Sequence, residues 1–86
     1  MCIPRVHNII HKDFVLNKLR KINAGKIKMI IEKPLKNEKD YKRLLIKIRL
    51  DPTHENGAYI KERFSKGETI KIVYNNEEYW RVVSSY

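Results

Sequence analysis

The sequence predicts one α+β domain, residues 1–86, with element order β-α-β-β-α-β and an extra C-terminal strand. Three observations predict it. Tyr41–Leu50 alternates, with Leu44, Ile46, Ile48 and Leu50 on one side and Arg43, Leu45, Lys47 and Arg49 on the other, as a strand buried on one face requires. Two segments, about His11–Asn23 and Thr53–Lys66, carry apolar residues at helical spacing. The length of 86 residues leaves room for one sheet-and-helix core, because a chain this size buries only about 60–65% of its unfolded surface.

Met1–Val6 reads as the first strand, with Met1, Ile3 and Val6 inward and Pro4 tolerated at an edge or bulge. After a turn at Asn8–His11, the first helix buries Val15, Leu19 and Ile22, with Phe14 alongside. Asp13 near its start and Lys18, Arg20 and Lys21 near its end match the helix dipole, and Asn23-Ala24-Gly25 supplies a left-handed stop. Lys26–Lys33 is a second strand, ended by Pro34, with Ile27, Met29 and Ile31 inward and Lys26, Lys28, Ile30 and Glu32 outward. The charged loop Pro34–Asp40 leads by hairpin logic to an antiparallel third strand, Tyr41–Leu50.

Asp51-Pro52-Thr53 opens the second helix, with Thr53 as N-cap and Tyr59, Ile60 and Phe64 as the buried side. Gly57 weakens its first turn and Gly67 closes it. Thr69–Tyr74 and Glu78–Ser84 are two strands joined at Asn75-Asn76-Glu77. If Tyr74 faces Tyr79, both share a side with Ile70 and Ile72, and Lys71, Val73, Trp80 and Val82 take the other; a slip of one residue exchanges the sides. Two βαβ units with right-handed crossovers make a split βαβ, ferredoxin-like sandwich. Both helices then cover one sheet face, the first and third strands are central, and the other face stays open.

The net charge is +9, and it is unevenly placed. Residues 1–49 hold 14 Lys and Arg against 4 Asp and Glu, whereas residues 50–86 hold 5 against 6. A basic region beside a near-neutral one suggests a polyanion-binding surface, where a merely soluble Lys-rich chain needs no such asymmetry. The chain has no apolar run long enough to span a membrane and no pattern of a signal peptide. A single cysteine, Cys2, allows no internal disulfide and fits a reducing, intracellular compartment.

The element order and the two central strands resemble an RNA recognition motif. More narrowly, Ile3-Pro4-Arg5-Val6, Asn23-Ala24-Gly25-Lys26-Ile27 and Lys71-Ile72-Val73-Tyr74 with Tyr79-Trp80 resemble small uncharacterised proteins of large DNA viruses of algae and amoebae. That resemblance implies an infected host cell or a virion as the place of action. In RNA recognition motifs, bases stack on aromatic side chains of the first and third strands. The matching positions here are Cys2, Arg43 and Leu45, none of them aromatic. Stacking contributes about 1–3 kcal/mol per base, so the expectation shifts from base reading to phosphate contact.

The expected function is accordingly a nucleic-acid-binding accessory module for RNA or single-stranded DNA, with weak sequence preference. Lys26, Lys28, Arg43, Lys47 and Arg49, with Leu45 among them, are expected on the open face, and Lys36, Lys39 and Lys42 in or beside the loop. Trp80 is a stacking candidate if that register holds, the alternative being that it packs within the domain over the edge of the sheet; Tyr41, Tyr79 and Tyr86 are weaker candidates. The alternative is a protein-interaction or virion assembly module that uses the same face, or a homodimer through the C-terminal edge strand. His7, His11, His54 and Cys2 lack metal-ligand spacing, no carboxylate pair or phosphate-cradling glycine loop is present, and the three glycines read as caps and turns. No enzyme activity, metal or cofactor is expected.

Overall fold

A computed structural model describes residues 1–84. The elements are β1 (Cys2–His7), α1 (Lys12–Ile22), β2 (Gly25–Pro34), β3 (Tyr41–Leu50), α2 (Glu55–Ser65), β4 (Ile70–Val73) and β5 (Tyr79–Val82), in the order expected. β3 lies between β1 and β2 in an antiparallel three-stranded sheet, and β4 and β5 form a second, two-stranded one. The core lies between one sheet face and the helices. There Ile3, Val6, Leu44 and Ile46 meet Val15 and Leu19 of α1, Ile60 of α2, and Ile70, Ile72, Trp80 and Val82 of the hairpin.

Among the described residues, one backbone bridge joins the two sheets. Cys2 and Val83 exchange both hydrogen bonds, each 2.8 Å. The next such pair along the ladder would be Pro4 with Arg81. Proline has no N–H to donate, so the sequence ends the ladder there. β1 also bulges between Ile3 and Val6, and the strands diverge beyond. The C-terminal strand β5 therefore lies between β4 and β1, and β4, not β5, is the sheet edge on that side.

Three side assignments differ from those read in the sequence. A bulge between Ile27 and Met29 inserts Lys28 as an extra residue. One extra residue reverses the alternation, so Ile27 and Ile30, three apart, both pack on the core, while Met29, Ile31 and Lys33 face outward. In the hairpin, Val73 pairs with Tyr79 and Ile72 with Trp80. Tyr74 N–H donates to the Glu78 carbonyl at 3.1 Å, which leaves Asn75, Asn76 and Glu77 between them. Ile70, Ile72, Trp80 and Val82 are consequently buried, and Lys71, Val73, Tyr79 and Arg81 exposed. On α2, Tyr59 is 54% exposed, and the inward positions are Gly57, Ile60 and Phe64.

Helix caps explain the connection on the far side of the molecule. His54, and not Thr53, is the N-cap of α2: its Nδ1 accepts from Asn56 N–H at 3.2 Å. Asp51 instead accepts from the Thr53 amide and hydroxyl, which holds the Asp51 carboxyl below its ordinary range. Asn23 ends α1 in the left-handed conformation, φ 54°. Its side-chain amide lies 3.3 Å from His54 Nε2, and Asn56 Nδ2 donates to the Ile22 carbonyl at 2.6 Å. His54→Ala is expected to lower stability by about 1 kcal/mol, with His54→Asn retaining most of it as a competent cap. Urea midpoints of the two variants measure the difference.

Gly57 does more than soften a helix turn. A Cβ there would overlap the Asp51 carbonyl and crowd that of Ala24, so α2 approaches this connection backbone to backbone. Gly25 is pressed against β3 in the same manner. Only Gly67, with φ 72°, is the helix-closing glycine expected.

Candidate nucleic-acid interface

The face of the sheet away from the helices follows from the pairing registers. On the three-stranded sheet, Lys26 lies opposite Arg49, Met29 opposite Lys47, Ile31 opposite Leu45 and Lys33 opposite Arg43. Leu45 in turn faces Cys2, and Tyr41 faces His7. The Cys2–Val83 bridge carries the same face onto the hairpin, where Lys71 stands opposite Arg81 and Val73 opposite Tyr79. Glu32, the sole acid in a strand, projects from the opposite face.

This arrangement places cations directly against cations at Lys26–Arg49, Lys33–Arg43 and Lys71–Arg81. Like charges directly opposed across strands are destabilising. Among the described residues, none of these six makes an ion pair, and neither does Lys47. The carboxylates that pair do so elsewhere: Glu38 with Arg5 at 2.7 Å, Glu32 with Lys42 at 3.3 Å, Glu68 with Arg63 at 2.8 Å and Glu62 with Lys66 at 3.1 Å. A polyanion laid on the open face would relieve a repulsion that the fold itself leaves uncompensated.

Three sequence-predicted residues do not belong to the rows of this surface. Lys42 is 7% exposed and occupies the inward row of β3, where Glu32 reaches it from β2. Its parity with Leu44 and Ile46 decides this, and the adjacent loop does not. Trp80 is 3% exposed: its pairing with Ile72 turns it inward, where it stacks on Tyr74 with centroids 4.1 Å apart and meets Phe14 edge-on at 6.2 Å. Lys28 is exposed but sits in the bulge, outside either row. Arg43, Lys47, Arg49 and Lys26 are exposed on the face as expected, and Leu45 is half-buried at its centre. Lys33, Lys71 and Arg81 join them. Lys33 owes its side to the bulge at Lys28, and Lys71 and Arg81 owe theirs to the register that buries Ile70 and Ile72 together with Trp80 and Val82.

Lys36 and Lys39 are exposed in the loop between β2 and β3. That loop is tied down: Asn8 Nδ2 donates to the Lys39 carbonyl at 2.6 Å, Asn8 N–H to the Asp40 carbonyl at 2.8 Å, and Arg5 holds Glu38. Glu38 and Asp40 stand beside these lysines in the chain and offset their charge. Tyr86 lies outside the described residues.

Cys2 lies on the same face but is covered, and burial pushes its thiol above the ordinary value against the pull of Arg43 and the N-terminal ammonium. The neutral thiol is unreactive, so native protein is expected to react slowly with iodoacetamide at neutral pH, and quickly once denatured. A raised thiol pKa also means that the unfolded chain loses this proton first as pH rises. Stability from Cys2 therefore declines with rising pH above the unfolded thiol value.

Among the described residues, no three His, Cys, Asp or Glu side chains converge as a metal site, and no helix is long and apolar enough to cross a membrane. No protein-family model, curated protein or solved structure matches the chain.

Proposed function

We propose that the chain is a ferredoxin-like, RNA recognition motif-like module that binds RNA or single-stranded DNA through the phosphate backbone, with weak sequence preference. Support for the fold comes from the element order, from β3 between β1 and β2, and from the antiparallel bridge that brings the C-terminal strand beside β1. One observation carries the function: three cation–cation pairs stand directly opposed on one sheet face that no strand carboxylate shares. Arg43, Lys47, Arg49, Lys26 and Lys33 are the phosphate contacts, with Lys71 and Arg81 extending the track. Contacts of this kind give affinity without sequence information, and that affinity falls steeply with salt. Titrating labelled single-stranded RNA and DNA at low and high salt is the test; absence of binding at low salt would overturn the reading.

A second reading has its own observation. Met29, Ile31 and Leu45 form an apolar centre within the cations, with Met29 half exposed. An acidic protein partner with an apolar anchor fits such a patch, including one in a viral particle. Nuclease-resistant capture of that partner distinguishes it from nucleic acid.

A further inference from the structure

Where Pro4 parts β5 from β1, the sheets enclose a cleft of about 480 Å³ at one end of the cationic face. One wall is Tyr41 with His7 edge-on at 5.1 Å. The Arg5 guanidinium lies 3.8 Å over the Tyr41 ring, and Glu38 fixes it there. This wall is therefore ordered before any ligand arrives. Tyr79 also lines the cleft, 45% exposed although it is a large aromatic on a sheet, with the Lys71 ammonium 4.7 Å over its ring. Tyr74 and Trp80 complete the aromatic lining, and the Trp80 indole N–H is buried with no acceptor among the described residues.

The chemistry of the cleft differs from that of the face it adjoins. Glu77 and Glu78 stand on its rim. Burial and the Glu78 carboxylate raise the Tyr74 phenol above its ordinary range, so its hydroxyl stays protonated. Carboxylates repel phosphate, whereas aromatic walls take flat, uncharged rings. A nucleobase meets both conditions. A carboxylate is acceptor-only, and guanine offers it two adjacent donors, N1–H and the exocyclic N2–H₂. Adenine and cytosine offer a single amino group beside an acceptor. The phosphate track leads to the site, because Arg43 is two residues along β3 from Tyr41, on the same side.

We propose that this cleft receives one unstacked base, guanine in preference, of the strand held on the cationic face. The inference rests on the reading given above and moves stacking from the centre of the sheet to the split at its end. Trp80 is the sole tryptophan, so its fluorescence reports the cleft. Wild-type protein and Tyr79→Ala are titrated with a short oligouridine and with the same oligomer carrying one guanosine. The guanosine is expected to tighten wild-type binding about tenfold and to quench Trp80. Tyr79→Ala is expected to lose that gain while keeping the slope of affinity against salt, and Tyr79→Phe to keep both. Equal affinity for the two oligomers, or an unchanged guanosine gain in Tyr79→Ala, overturns the cleft and leaves the phosphate face standing. No binding of either oligomer by wild-type protein at low salt overturns both.

Discussion

Gly57→Ala is expected to destabilise the protein by about 3 kcal/mol or more, the upper range for overpacking. Intrinsic propensity argues the other way, since alanine is favoured over glycine in a helix interior by about 1 kcal/mol. Sterics outweigh it here. The added methyl would overlap the Asp51 carbonyl and press on the Ala24 carbonyl. These oxygens are themselves engaged: Ala24 accepts from Asp51 N–H at 2.9 Å and Asp51 from His54 N–H at 3.2 Å. Making room means breaking the connection that joins the end of α1, the end of β3 and the start of α2. Thermal unfolding should show a midpoint lowered by more than about 10 °C, given about 4–8 °C per kcal/mol for a domain of this size. A midpoint equal to or above wild type would show that α2 does not approach the β3 connection this closely.

Arg43→Glu combined with Arg49→Glu is expected to move stability and binding in opposite directions. Each reversal converts a repulsive cross-strand pair, with Lys33 or Lys26, into an attractive one. Opposite charges across strands contribute roughly 0.2–1 kcal/mol, so the urea midpoint should rise, most visibly at low ionic strength. On the proposed function, two phosphate contacts are lost at the same time. Each contributes about 0.7 to the slope of log K against log salt for a single strand. The slope should therefore flatten by at least about 1.4, with low-salt affinity largely lost. A variant that is both more stable and less able to bind separates a functional charge cluster from a merely solvating one. Unchanged affinity would mean that nucleic acid, if bound, lies elsewhere.

The parts of the chain that could be read without coordinates are those where one local signal decides. β3 shows an uninterrupted alternation from Arg43 to Leu50, and its inner and outer rows follow directly. Asn23 and Gly67 end their helices because few other residues tolerate a positive φ. What escaped the reading depended on a single residue of parity. Lys28 could be one more outward lysine or the extra residue of a bulge, and only pairing against Ile48 and Lys47 decides. Asn75-Asn76-Glu77-Glu78 supports turns of more than one length, so whether Trp80 was a platform or core hung on a loop count. Lys42 adjoins a basic loop in the sequence, yet it follows the parity of Leu44 and is accommodated inward by Glu32. Gly57 could not be diagnosed locally, since its constraint comes from Asp51 and Ala24.

Pro4 has a consequence for how the molecule opens. Past the Cys2–Val83 bridge, the Tyr79 and Arg81 amides have no ladder partner on β1, and the β4–β5 hairpin is held there by side-chain packing. Such an appendage detaches as a cooperative unit at a free energy below that of global unfolding. Amide protons of the hairpin should exchange with deuterium well before those of β3, which is hydrogen-bonded on both sides. A proline placed early in β1 thus divides the chain into a persistent three-stranded body and a more readily released arm.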